Sequence, residues 1–387
     1  MRTPSIILII VLFVVSNIIA SGKLRKTIIV DGKERELFLH IPTSYTGNTS
    51  VPLVFMLHGT GGDGERMYEE SGWAELAEKE GFIAVFPSSL RNKIIDEGEF
   101  KTITKWNHTP DANWVFQPGE IAYDDIKFLR KIIEIAITEY AIDVQRIYLN
   151  GFSNGGAMAA KCSIEMSDVL AAVCSNASSF YLDTIYIPKR KIPYLYQVGN
   201  RDYGPGNVGP DFPSVPMRLF DTLISTPNLP YLDGKHYRIA NDVVRNFGLH
   251  DQHNGIVGDT NKFVLTTYLP IDANDTHEFK YVFVKDLGHS YPNWAPTEHW
   301  KWLKQYTLSG VSGIVNDLKN VRALSFFPNP AKDIIYFNHK VNFAILNMHG
   351  KTLLKGYDDF ASIIGLPNGI YIVSDGTKSR KLVVTND

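Results

Sequence analysis

The sequence predicts an α/β protein, a mostly parallel sheet with helices on both faces, followed by a small all-β sandwich. Three observations carry that prediction. Short continuous apolar runs such as Val51–Leu57, Phe82–Phe86 and Ile192–Val198 alternate with stretches of helical periodicity, as expected of strands covered on both faces and joined by crossovers. The run Ile147-Tyr-Leu149 leads directly into Gly151-Phe-Ser-Asn-Gly155, whose G-x-S-x-G spacing is that of a sharp turn from strand to helix. From about residue 308 the composition shifts to short alternating strands separated by Gly, Pro and Asn turns.

The 387 residues carry a formal net charge of −2 and are 44% hydrophobic. That suits one α/β domain of roughly 250 to 300 residues and something smaller. No Lys/Arg run is present to neutralise phosphates and no Cys/His spacing suits zinc, so nucleic acid is excluded as a partner. Arg2, the apolar run Ile6–Val15 and the small residues up to Gly22 read as a signal peptide over residues 1–22. Ser16 and Asn17 interrupt the run, which is short of the ~20 residues of a membrane span, so no stable span is expected. Cys162 and Cys174 are the only cysteines, and buried free thiols are favoured over a disulfide.

In order along residues 23–307, Lys26–Val30 and Glu34–Ile41 flank an Asp31-Gly32 hairpin turn. Val51–Leu57 ends in the glycine-rich His58-Gly-Thr-Gly-Gly62, and Glu65–Glu80 has helical spacing. Residues 88–120 lack clear periodicity and are expected as a long surface loop that holds Trp106, His108, Trp114 and Phe116. Ile121–Tyr140 is amphipathic, with Asp124 and Asp125 suited to cap its start. Val169–Cys174, Phe263–Leu269 and Phe279–Val284 are expected strands. Gly234–Phe247 and Thr297–Tyr306 are expected helices, the latter capped by Thr297. Residues 203–233, rich in Pro and Gly, interrupt this pattern. A linker over 308–324 leads to the sandwich of 325–387, where Phe326, Phe327, Tyr336 and Phe343 are expected in the core.

Catalysis by a serine needs a base, a group to hold that base, and donors for an oxyanion. Ser153 is the candidate nucleophile, with Gly151 and Gly155 leaving room for the turn. His289 follows the strand Phe279–Val284 and Asp202 follows Ile192–Val198, so both lie where α/β folds place function. Arg201 is a competing partner for Asp202, and Asp183 or Asp211 could replace it; His58, His108, His236 and His299 are weaker bases by order or setting. The backbone N–H groups of Thr60 and Asn154 are the candidate oxyanion hole. A phosphate-cradling role for residues 58–64 fails for lack of a Lys-Ser/Thr ending.

Leu57-His-Gly59, Gly151-Phe-Ser-Asn-Gly-Gly156, Gly199-Asn-Arg-Asp202 and Gly288-His-Ser-Tyr-Pro292 together resemble the secreted feruloyl esterase and polyhydroxybutyrate depolymerase group of α/β-hydrolases. The resemblance spans roughly residues 25 to 305. It implies hydrolysis of carboxylic esters through an acyl-enzyme without metal or cofactor, on a polymeric or oligomeric substrate, feruloyl or acetyl esters of plant cell wall first. Tyr291 departs from the Trp usual in the group. Depolymerisation of polyhydroxybutyrate, peptide hydrolysis by the same parts, and an inactive surface binding protein are the rival readings. Phe326-Phe-Pro-Asn-Pro-Ala-Lys-Asp333, Leu346-Asn-Met-His-Gly350 and Leu366-Pro-Asn-Gly-Ile-Tyr371 resemble a type IX secretion sorting domain, which implies that machinery as a partner and a secreted or surface-attached product.

Overall fold

The computed structural model describes residues 21–96, 98–109, 115–178, 180, 188–199, 201–202, 234–250, 256–257, 262–272, 275–308, 326–327, 329–376 and 379–385. Residues 1–20 of the expected signal peptide, the 203–233 interruption with Asp211, Asp183, Trp114 and nearly all of the expected linker lie outside them. The chain divides into two compact units, residues 1–311 and 312–387.

In the first unit, β1 (Gly22–Val30) and β2 (Lys33–Ile41) form the expected hairpin, with Asp31 and Gly32 both at positive φ as a tight two-residue turn demands. β2 pairs antiparallel with β4 (Ile83–Pro87). From there β4, β3 (Val51–Leu57), β7 (Ile142–Phe152), β8 (Ala172–Asn176), β9 (Tyr194–Gly199) and β12 (Phe279–Val284) lie parallel, side by side. β11 (Phe263–Tyr268) and β10 (Ile256–Val257) finish the far edge antiparallel. The continuous apolar runs are the strands buried on both faces: β4, β8 and β9 are buried at every position. The chain builds outward from β3 to β4, then returns to β7 and extends the other way. The ends of β3 and β7 therefore diverge at a switch point, where such sheets open a crevice.

Two segments between β3 and β7 differ from expectation. The single helix expected over Glu65–Glu80 is two, α1 (Gly64–Glu70) and α2 (Trp73–Glu80). Ser71 turns its hydroxyl back onto the Met67 carbonyl, and Gly72 takes φ 79, which only glycine adopts cheaply. Residues 88–120 are not one surface loop. β5 (Arg91–Asp96) and β6 (Glu99–Thr104) form a hairpin closed at Gly98, and Trp106 beyond it is fully buried.

α3 (Asp125–Glu139) buries Ile126, Phe128, Leu129, Ile132, Ile133 and Ala136 on one stripe. At about 1.5–3 kcal/mol for each large side chain, that stripe outweighs helix propensity. Its acidic pair divides: Asp124 caps, accepting from the Lys127 N–H at 3.1 Å, whereas Asp125 does not cap but is buried against Arg35 at 2.5 Å. α4 (Asn154–Glu165) follows β7, and α5 (Gly234–Phe247) has the expected bounds. The last helix, α6 (Ala295–Leu303), starts before Thr297, which caps nothing: Pro296 sits in its first turn, where a missing N–H costs little. Cys162 and Cys174 are free and buried.

In the second unit, β14 (Ile334–Leu346) pairs with β15 (Thr352–Ser362) along one edge and with β13 (Phe326–Phe327) and then β16 (Gly369–Ser374) along the other. β17 (Ser379–Val384) pairs with β16. These antiparallel strands enclose a core of Ile335, Phe337, Ile345, Ile363, Val373 and Leu382, with Phe326 and Phe343 packed against it. Tyr336, expected in that core, is 47% exposed.

Candidate active site

β7 delivers Ser153 to the crevice. The serine stands between β7 and α4 at φ 54, ψ −120, a conformation costly for any residue with a Cβ and held here by packing. The glycines around it are required by space. A Cβ on Gly151 would lie 2.1 Å from the Gly155 carbonyl oxygen, and one on Gly155 would lie 2.4 Å from that of His58. Strand end, helix start and the loop after β3 are thus pressed together.

The candidate acid and base, Asp202 and His289, arrive on neighbouring strands. β9 ends at Gly199, where a Cβ would lie 1.9 Å from the Leu287 carbonyl oxygen, so the turn after β9 lies directly on the loop after β12. The Arg201 N–H donates to that same carbonyl at 3.0 Å, and the Arg201 guanidinium pairs with Asp286 at 2.7 Å. Arg201 therefore bridges the two loops instead of occupying Asp202. The Asp202 carboxylate, 3% exposed, faces His289 Nδ1 at 3.0 and 3.1 Å, and His289 Nε2 stands 2.8 Å from Ser153 Oγ. With Nδ1–H donating to the carboxylate, Nε2 is left as the acceptor for the serine proton. Phe152 lies against the imidazole with the rings tilted by 38° and their centres 5.1 Å apart, and the His289 side chain keeps 26% of its surface open to solvent.

Asn154 is the first residue of α4, so its N–H has no partner within the helix and points to where negative charge is best received. Thr60 lies in the loop after β3, whose neighbour Gly59 packs against Ser153: a Cβ there would be 3.1 Å from the serine Cβ.

Three of the other candidate histidines, His58, His108 and His299, are buried and held by hydrogen bonds. The His58 ring is fixed by the Ser89 N–H donating to Nε2 at 2.9 Å, so Nδ1–H donates to the Gly59 carbonyl at 2.7 Å. Burial pushes its pKa down to about 4. His108 is likewise buried and lowered to about 4, and accepts from Asn154 Nδ2 at 2.9 Å. His299 of α6, lowered to about 3 by burial, donates from Nε2 to Gln197 at 3.1 Å and accepts from Asn150 at 2.9 Å. Asn150 in turn accepts from Asn176 at 2.7 Å. This buried chain of polar groups ties together β9, α6, β7 and β8 below the site. His236 has no described side-chain environment. Tyr291, where the group usually has Trp, accepts from Trp73 Nε1–H at 3.0 Å and so joins the loop of His289 to α2.

Sequence reasoning missed the part played by Trp106. Its N–H donates to Asn154 Oδ1 at 2.7 Å and its indole N–H to the His58 carbonyl at 2.9 Å. The only signal was the cluster Trp106-Asn-His108 in a stretch of no clear period.

Comparison with known proteins agrees with both resemblances. Residues 37–184 match the family described as Esterase PHB depolymerase, and residues 325–385 match the secretion system C-terminal sorting domain. The bifunctional acetylxylan esterase/xylanase XynS20E of Neocallimastix patriciarum is 27% identical over 173 residues, 44% of this chain and 22% of that protein. Feruloyl esterase B of Piromyces equi is 26% identical over 172 residues, 43% of this chain and 29% of that one. Poly(3-hydroxyalkanoate) depolymerase C of Paucimonas lemoignei is 26% identical over 148 residues, 38% and 32% respectively. The chain thus spans less than a third of the length of these three relatives. Among solved structures, an acetyl xylan esterase from Aspergillus awamori is similar with a TM-score of 0.49 at 14% identity, covering 73% of this chain and 99% of that one. The sorting domain marks a secreted or cell-surface protein and implies type IX secretion. Among the described residues no helix is long and apolar enough to cross a membrane.

Proposed function

Starting from a chain whose residues 37–184 match the Esterase PHB depolymerase family, we propose that this protein is a serine-dependent carboxylic ester hydrolase. The observation that carries the reading is the continuous hydrogen-bonded line from Asp202 through His289 to Ser153. Ser153 Oγ attacks the ester carbonyl carbon while His289 Nε2 takes the hydroxyl proton. Asp202 keeps the imidazole in the tautomer that can accept it and stabilises the imidazolium. The tetrahedral oxyanion is received by the N–H groups of Asn154 and Thr60. The intermediate collapses, His289 returns the proton to the departing alkoxide, and Ser153 is left acylated. A water, deprotonated by the same imidazole, then releases the acid and restores the serine.

The substrate we favour is an ester attached to an extracellular polymer or its fragments, feruloyl or acetyl groups of plant cell-wall polysaccharide. The named relatives that act on xylan acetyl and feruloyl esters support that order. The depolymerase relative keeps hydroxyalkanoate esters as a second reading. A panel of feruloyl, acetyl-sugar and hydroxybutyrate esters, assayed with wild type and Ser153→Ala, tests both levels. The variant should lose kcat by roughly 10⁶, taking the subtilisin value as the guide. Ester hydrolysis that persists in Ser153→Ala rejects the mechanism; activity confined to hydroxybutyrate esters rejects the favoured substrate.

A further inference from the structure

The residues leaving β6 form a strap across the two halves of the proposed oxyanion hole. Those halves belong to separate elements, Thr60 to the loop after β3 and Asn154 to the start of α4. The Gly61 N–H donates to the Thr104 carbonyl at 2.9 Å, and the Thr104 hydroxyl donates to the Gly62 carbonyl at 2.6 Å. Trp106 then reaches both halves, its indole N–H donating to the His58 carbonyl at 2.9 Å and its backbone N–H to Asn154 Oδ1 at 2.7 Å. Thr60 is therefore flanked by held residues on either side. The Trp106 ring is fully buried and lies 5.0 Å from the His58 ring. Beyond it the Asn107 N–H donates at 2.7 Å to Asp125, which Arg35 holds in the core at 2.5 Å. The strap is anchored in rigid structure, whereas the loop it holds contains Gly59, Gly61 and Gly62 and has little stiffness of its own.

We propose that Thr104 and Trp106 are positioning residues that fix the spacing between the Thr60 and Asn154 N–H groups, and so set how well the site receives a tetrahedral oxyanion. The proposal rests on the oxyanion hole assigned above. Donors of this kind act only when they lie about 2.7–3.1 Å from the oxygen of the transition state. Loosening their spacing weakens transition-state binding more than ground-state binding, which lowers kcat and spares KM.

The test compares wild type, Trp106→Phe, Thr104→Val and Ser153→Ala on one activated ester. It also measures inhibition by an aryl boronic acid, which forms a tetrahedral anionic adduct on a reactive serine. Trp106→Phe keeps an aromatic ring in the pocket and removes the indole N–H. It should lower kcat by about tenfold or more, leave KM within about twofold, and raise the boronate inhibition constant in step with the loss of kcat/KM. Thr104→Val should do the same to a smaller extent and, its side chain being only partly buried, without loss of fold in thermal melts; it carries the test alone if Trp106→Phe does not fold. Variants that keep wild-type kcat and boronate affinity, or that change KM alone, overturn the proposal. A wild type inactive on the ester, or a Ser153→Ala as active as wild type, overturns the site reading and this proposal with it. Activity that needs Ser153 but ignores Thr104 and Trp106 overturns this proposal only.

Discussion

Gly155 shows what the elbow asks of single residues. A Cβ at that position would sit 2.4 Å from the His58 carbonyl oxygen and 2.5 Å from that of Leu57, both backbone atoms that cannot move aside. Gly155→Ala should therefore destabilise by about 3 kcal/mol or more, as overpacking against fixed structure does, and abolish hydrolysis in whatever folds. Urea unfolding checks it; a variant with a wild-type midpoint would show that the elbow is looser than described. The side chains that meet at the proposed site were legible in the sequence by type and spacing: Ser153 between two glycines, Asp202 and His289 just past apolar strands. The residues that act by holding others were not. Trp106, Asn154 through its side chain, Gln197 and His299 meet across separations of tens to more than a hundred residues, and nothing in their local context marks the partner.

At the scale of elements, hydrophobic period located the strands and most helices, because burial on both faces leaves a plain run of apolar residues. It failed where a local signal was short or masked. Ser71-Gly72 broke a helix whose apolar spacing continues across the break, and β5 with β6 alternates over only six residues each. The start of the last helix was set by Pro296, whose ring fits the first turn better than Thr297 caps it. For α3 the capping residue was within the expected acidic pair, and its contribution can be isolated. Asp124→Ala removes the acceptor for the Lys127 N–H and should cost about 1 kcal/mol. A double-mutant comparison with Lys127→Ala separates the cap from charge effects; no loss on denaturant unfolding would mean that the first turn is satisfied by solvent.

For the whole molecule, the buried histidines tie stability to pH. His58, His108 and His299 stay neutral in the fold, with pKa values lowered to about 4, about 4 and about 3, chiefly by burial. An unfolded histidine takes up its proton near pH 6.5. Above that value neither state is protonated there and the full stability is present; between about 6.5 and 4 only the unfolded chain binds protons, so stability falls as pH falls. Each site can contribute on the order of 3 kcal/mol over that window. Unfolding free energies measured at pH 7 and pH 5 should differ by several kcal/mol, and equal values would mean that these rings are solvated or paired with negative charge. The sheet turns round between β3 and β7, and Ser153, at the end of β7, is the proposed reactive group there. The most direct test is labelling of the intact protein with an ester-like fluorophosphonate followed by mass spectrometry of its peptides. One label per chain on the peptide carrying Ser153, absent in Ser153→Ala and strongly slowed in His289→Ala, is the predicted result; ester hydrolysis that continues without any label on Ser153 would contradict it.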